Sequence, residues 1–214
     1  MNKTTICFDL DGTLSDPKPG ITRSIRYALE KLGHAAPGED ELTWCIGPPL
    51  LGSFATLVGE ADAKMAVKHY RDRFGDLGYR ENELYPGIIE VLAALREHEV
   101  RLLVATSKPT FYARKIIDHF GLSSYFEDVC GSELDGTRAD KTDLLAWIVA
   151  EKRLEPASTV MIGDRRHDVI GARNNAIDGV AVLYGYGSHD ELNEAGAAHF
   201  CARPGDLPAV LTGL

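Results

Sequence analysis

Thr5-Ile6-Cys7-Phe8-Asp9-Leu10-Asp11-Gly12-Thr13-Leu14-Ser15-Asp16 is the stretch that decides how the chain is read. Its first four residues are strand formers, too few for a helix, and the run ends at Gly12, so it predicts a short buried strand. Asp9 and Asp11 follow at i and i+2. Two carboxylates this close repel, so the pair needs a cation nearby or a proton on one member. Asp and Gly also terminate strands as ordinary turn residues, and the stretch alone does not choose between a site and a turn.

The chain has 214 residues, 44% hydrophobic and 26% charged, which suffices for one large domain, or one plus a small insert, and argues against disorder. A net charge of −9 disfavours a nucleic-acid polymer or an anionic membrane as the main partner. Cys7, Cys45, Cys130 and Cys201 are far apart with no C-x-x-C spacing, as expected of reduced thiols in a cytoplasmic protein. Asp9 and Asp11 interrupt the N-terminal apolar run, so no signal peptide is expected there. No run approaches the ~20 apolar residues of a membrane span.

Residues 17–82 read as helical. Ile21, Ile25, Ala28, Leu29 and Leu32 recur with helical spacing until Gly33. A short helix is expected through Leu42 to Ile46, and Gly47-Pro48-Pro49 breaks it. Leu50 to Val58, then Ala63 to Leu77, give two more apolar faces, which together predict a small bundle. From Tyr85 the pattern alternates. Helices are expected around Ile88–Leu95, Pro109–Phe120, Lys141–Lys152 and Asp168–Asn175. Strands are expected at Val100–Ala105, Asp128–Cys130, Thr159–Ile162, Gly179–Leu183 and His199–Cys201. Ser188-His189-Asp190-Glu191 reads as a capping box. Solid apolar strands alternating with helices predict an α/β fold with a doubly wound parallel sheet. Residues 1–16 and 83–214 would form it, and 17–82 would be a helical insertion placed after the Asp9/Asp11 loop. Open α/β sheets bind ligands at the C-terminal ends of their strands, where such an insertion would act as a lid.

In that topology the strand ends share one crevice. The first delivers Asp9 and Asp11, and the second Thr106, Ser107 and Lys108 ahead of a helix start that suits a phosphate or is merely an N-cap. Lys141 opens a helix, where a cation is disfavoured. Asp164 and Asp168 lie four apart at a strand-to-helix turn and could face one way. Four acids converging on one crevice call for a hard cation with oxygen ligands, and Mg²⁺ suits such a set. A lysine and a hydroxyl beside it would then meet a phosphoryl group.

Asp9-Leu10-Asp11-Gly12-Thr13, Thr106, Lys141, and Gly163-Asp164 with Asp168 resemble, in order, the four motifs of the haloacid dehalogenase-like phosphatases. The resemblance spans nearly the whole chain, with the helical insert in the place of that superfamily's cap. Ile46-Gly47-Pro48-Pro49, Gly163–Asp168 and Tyr184-Gly185-Tyr186-Gly187-Ser188 look most like its phosphoglycolate phosphatase and 5′-nucleotidase branch. The resemblance implies Mg²⁺-dependent hydrolysis of a small phosphorylated metabolite through an aspartyl-phosphate, by a monomer or homodimer. Asp9 would be the nucleophile and Asp11 the general acid and base, pushed toward its neutral form by the charge of Asp9 beside it. Asp9, the carbonyl of Asp11, Asp164 and Asp168 would hold the metal. Thr106 and Lys141 would complete the catalytic set, with Gly12, Thr13, Ser107 and Lys108 near the phosphate and Gly47 and Pro48 near the rest of the substrate. The alternative is phosphotransfer without hydrolytic turnover, as in a phosphomutase or a receiver-like module, although receivers carry no helical insert.

Overall fold

The computed structural model describes residues 3–214. Strands β1 (Thr5–Phe8), β4 (Arg101–Pro109), β5 (Asp128–Ser132), β6 (Thr159–Gly163), β7 (Asp178–Val182) and β8 (His199–Cys201) form one six-stranded sheet in the order β5-β4-β1-β6-β7-β8. Every pairing in it is parallel. Two-residue strands β2 (Ser15–Asp16) and β3 (Glu83–Leu84) lie just before and after the helical insert. Helices α4 (Ile88–Glu97), α5 (Thr110–His119), α6 (Lys141–Lys152), α7 (Arg166–Asn174), α8 (His189–Glu194) and α9 (Leu207–Thr212) complete this unit.

β1 is central and buried along its whole length, which explains why it is an uninterrupted apolar run. Its odd and even side chains point to opposite faces. Cys7 joins Leu103, Leu144, Leu145, Ile148, Met161 and Ala172 in one core cluster. Phe8 meets Phe126 edge to face at 6.3 Å. The register fixes the site. Phe8 lies beside Val104 on one flank and Ile162 on the other, so Asp9, Thr106 and Asp164 follow within two residues of three paired positions.

The chain divides into two compact units, residues 1–16 with 84–214, and residues 17–83. The second unit contains α1 (Lys18–Lys31), a 3₁₀ helix (Asp40–Cys45), α2 (Leu50–Val58) and α3 (Glu60–Asp76). Its own core buries Ile21, Ile25, Leu29, Leu42, Phe54, Ala66, Tyr70 and Phe74. No described helix is long and apolar enough to cross a membrane.

Several boundaries differ from the sequence expectation for local reasons. The segment expected to be a helix through Ile46 is the 3₁₀ turn Asp40–Cys45, ending before Gly47-Pro48-Pro49. β4 does not stop at Ala105. It continues to Pro109 through a register shift after Thr106, because β5 goes on pairing beside it. α7 begins at Arg166 rather than Asp168, since the Asp168 carboxylate accepts the Arg165 N–H at 3.1 Å and closes the first turn behind it. The box at Ser188 forms by half. Ser188 Oγ accepts the Glu191 N–H at 3.1 Å, but the Glu191 carboxylate accepts instead from Arg165 Nε and the Arg166 N–H, at 2.9 and 3.0 Å.

Candidate active site

Asp9 follows β1 directly, and its N–H donates to Ile162 O at 2.8 Å, which ties the start of the loop to β6. The loop then turns on itself. Leu10 O accepts the N–H groups of Thr13, Leu14 and Ser15 at 3.3, 3.0 and 3.1 Å, and Gly12 N–H donates to Ser15 O at 2.8 Å. Gly12 has φ +84°, and a Cβ there would lie 2.1 Å from Asp164 Oδ2, so only glycine lets this turn close against that acid. Thr13 is fully buried, and its hydroxyl donates to Asp164 Oδ1 at 3.4 Å.

Lys141 is brought in by α6. Its position at a helix start is sustained by Asp140, whose carboxylate accepts the N–H groups of Thr142 and Asp143 at 2.8 and 3.3 Å. The ammonium is 3% exposed and meets Asp9 Oδ1 at 3.0 Å, Asp168 Oδ1 at 2.7 Å and Ala105 O at 2.8 Å. Asp9 and Ala105 accept hydrogen bonds from it, and Asp168 pairs with it by charge. Burial works against the charge on Lys141, but Asp168 and Asp9 outweigh it and raise its pKa.

Asp9, Asp164 and Asp168 each offer one carboxylate oxygen such that all three lie within 4.8 Å of one another. Burial, with the charges of Asp168 and Asp9, pushes Asp164 well above the usual carboxylate range. Burial likewise raises Asp168 to about 6 against the pull of Lys141. Three buried acids facing one ammonium leave an excess of negative charge. An all-oxygen donor set of this kind fits a hard divalent cation.

Asp11 stands outside this group of three. Its Oδ2 pairs with Lys108 Nζ at 2.7 Å, while its Oδ1 is buried with no hydrogen-bond partner. Its pKa is raised. The chief cause is burial, opposed by Lys108, and the charge of Asp9 pushes in the expected direction as a smaller contribution. Lys108 and Thr106 come from the irregular end of β4, where Thr106 Oγ1 accepts the Lys108 N–H at 3.2 Å. Ser107 is half-buried and its carbonyl accepts from Ser132 Oγ at 2.8 Å. Gly47 and Pro48 belong to the helical unit, between its 3₁₀ turn and α2, with Gly47 at φ +103°.

Two features escaped the sequence reading. One is the Lys108–Asp11 pair. The other is the part played by Tyr184–Gly187, whose Tyr186 N–H donates to Asp164 Oδ2 at 2.7 Å and whose Tyr184 hydroxyl donates to Thr13 O at 3.1 Å. The concentration of Tyr and Gly just beyond a strand end was the available signal.

Residues 6–182 match the model of a family described as haloacid dehalogenase-like hydrolase. A protein of Pseudomonas aeruginosa named 5′-nucleotidase is 46% identical over 208 residues, covering 96% of this chain and 94% of its own. A Mycobacterium tuberculosis protein named tyrosine-protein kinase PtkA is 42% identical over 189 residues, covering 88% of this chain but only 65% of the longer relative. The crystal structure of a predicted phosphatase from Clostridium acetobutylicum superposes with a TM-score of 0.95 at 38% identity, covering 99% of each chain. With a family match over most of its length, the chain belongs to the haloacid dehalogenase-like hydrolases.

Proposed function

We propose that the chain is a Mg²⁺-dependent phosphomonoester hydrolase that works through an aspartyl-phosphate on Asp9. The observation that carries this reading is the contact set around Lys141, which links Asp9 to Asp168 inside a buried cluster with Asp164. Asp9, Asp164, Asp168 and the main-chain carbonyl of Asp11 would hold the cation. Bound there, Mg²⁺ supplies positive charge that offsets the acids and polarises the phosphoryl group.

The chain's own residues account for the remaining steps. Lys141 fixes Asp9 through Oδ1 and orients the carboxylate for in-line attack. As the Asp9 oxygen–phosphorus bond forms and the ester bond breaks, Asp11 gives its proton to the leaving oxygen. It then takes a proton from the water that attacks phosphorus, releasing phosphate and regenerating Asp9. Burial favours the neutral form of Asp11 and Lys108 favours the charged one, a balance that suits a group which must both give and take a proton. Thr106 and the backbone after it would receive phosphoryl oxygens.

For the substrate we favour a nucleoside 5′-monophosphate, in line with the relative named 5′-nucleotidase, with phosphoglycolate as the competitor that the family resemblance brings. Ranking kcat/KM over both classes separates them; a preference for phosphoglycolate by tenfold or more overturns the nucleotide choice. For the mechanism, Asp9→Asn should lose turnover by roughly three orders of magnitude or more while keeping its circular dichroism spectrum. Near wild-type hydrolysis of p-nitrophenyl phosphate by that variant, or full activity in excess EDTA, sinks the assignment. The relative named as a kinase keeps phosphotransfer without turnover as a second reading. Release of a single equivalent of the dephosphorylated alcohol, with the phosphoryl group retained on the protein, would favour it.

A further inference from the structure

The segment Tyr184–Gly187 takes no part in the steps above, yet it is built tightly around them. Four contacts join it and the nucleophile loop in a closed circuit. Tyr186 N–H donates to Asp164 Oδ2 at 2.7 Å. Asp164 Oδ1 accepts from Thr13 Oγ1 at 3.4 Å, and Thr13 O accepts from the Tyr184 hydroxyl at 3.1 Å. The Tyr186 hydroxyl donates to Asp16 Oδ1. Between the two tyrosines sits Gly185, where a Cβ would lie 2.3 Å from both Gly12 O and Asp164 Cβ. The Tyr184 ring is braced edge to face by Tyr85 at 5.0 Å and 64°. Asp16 is the last residue of the first unit before the chain enters the helical one.

One residue therefore holds a cluster acid with its backbone and the end of the nucleophile loop with its side chain. We infer that Tyr186 is a positioning residue that couples the cation site to the point where the chain leaves the catalytic unit. The bond to Asp16 fixes the phenol, and the fixed phenol keeps the Tyr186 N–H aimed at Asp164. The carboxylate is thereby held toward Asp9 and Asp168. This rests on the reading of Asp9, Asp164 and Asp168 as the cation site.

The test measures Mn²⁺ affinity of the full chain by calorimetry at 25 °C, without substrate. Tyr186→Phe removes only the hydroxyl, and Asp16→Ala removes its acceptor with the rest of that carboxylate. Each should weaken Mn²⁺ binding about threefold or more, the size expected when one polar hydrogen bond is lost. The double variant should bind no more weakly than Asp16→Ala alone, because both remove the same bond. Asp16→Asn keeps an acceptor oxygen and should restore affinity to within a factor of two or so of wild type. A residue that served only stability would lower the unfolding temperature without moving the affinity of the folded protein. Unchanged affinity in Tyr186→Phe, or additive losses in the double variant, overturns the inference while leaving the cation site standing. If Asp164→Asn binds Mn²⁺ as tightly as wild type, the cation site itself is wrong and the inference falls with it.

Discussion

The catalytic unit and the helical unit handle charge in opposite ways. The helical unit keeps its interior apolar, with Tyr70 stacked on Phe74 at 5.2 Å and Phe54 edge-on to Tyr70 at 6.2 Å. Its ion pairs stay near water, as where Arg73 meets Glu81 at 2.7 Å and Arg23 meets Glu39 at 3.1 Å. Such pairs contribute little stability. The catalytic unit buries Lys141, Asp9, Asp164 and Asp168 together. Burying like charges costs stability unless something offsets them. The lesson is that an arrangement which folding alone would disfavour marks the place where the chain does its work.

The comparison also has a signature in pH. The site acids Asp11, Asp164 and Asp168 are pushed up by burial, whereas Glu81 in the helical unit is held down, chiefly by its hydrogen bond to Arg73. A raised carboxyl binds its proton more tightly in the folded state than in the unfolded one. Its stabilising contribution is present at low pH and lost as pH rises through the folded pKa. A depressed carboxyl gives the reverse.

The hardest break to this picture is Lys141→Met. Removing the ammonium leaves the three acids with no buried cation between them, and loss of one partner from a buried pair typically costs about 3–5 kcal/mol. For a chain of this size that corresponds to a drop in unfolding temperature of roughly 6–20 °C at pH 7.5. Part of the loss should be recovered near pH 5, where the acids take up protons. A Met variant that melts with wild type at both pH values contradicts the electrostatic account.

Asp164→Asn sharpens the comparison from the other side. Asn keeps an oxygen for the Tyr186 N–H and offers its amide to the Thr13 hydroxyl, so the geometry survives while a charge disappears. Without divalent cation, the variant should be more stable than wild type at pH 7.5 by about 1–2 kcal/mol. Because the folded pKa of Asp164 is raised, the gain should shrink as pH falls toward the ordinary carboxylate range. Added Mg²⁺ should raise the unfolding temperature of wild type and leave the variant almost unmoved. Denaturant titrations at two pH values with and without Mg²⁺ read all three effects.

Much of this arrangement was legible before any coordinates. Solid apolar runs gave the parallel sheet, and Asp9, Thr106 and Asp164 follow within two residues of Phe8, Val104 and Ile162, which the register of β1 sets side by side. Lys141 betrayed itself by standing at a helix start, where a lysine has no local reason to be. What stayed hidden depends on contacts that no periodicity encodes. Tyr186 reaches Asp16 across 170 positions of sequence, and its N–H reaches Asp164 across 22. The local rule at Ser188 held for the hydroxyl but not for the carboxylate, because Arg165 and Arg166 captured the Glu191 side chain that the other half of the box would have used. Of the two pushes on the pKa of Asp11, the nearness of Asp9 is visible in sequence, while burial depth is a property of the fold.

The smallest expected effect tests the helical side of the comparison. Glu81 accepts from Arg73 Nη1 and Nη2 at 2.7 and 3.0 Å and from Arg23 Nη1 at 3.3 Å. Glu81→Gln keeps the shape and one acceptor oxygen but removes the charge, so it should cost no more than about 1 kcal/mol at pH 7.5 in low salt. The folded pKa of Glu81 is depressed, so its contribution is present above the unfolded value and lost as pH falls through the folded one. The difference between wild type and variant should therefore vanish in acid, the same direction as for Lys141→Met but for the opposite reason: there, protons relieve a repulsion, whereas here they remove an attraction. Raising salt to 1 M should also shrink the Glu81 difference, since charges that water reaches are screened over about 3 Å at that ionic strength, and should leave most of the Lys141→Met deficit in place. A salt-insensitive loss at Glu81 would mean that its pair is desolvated after all, and the contrast between the two units would have to be redrawn.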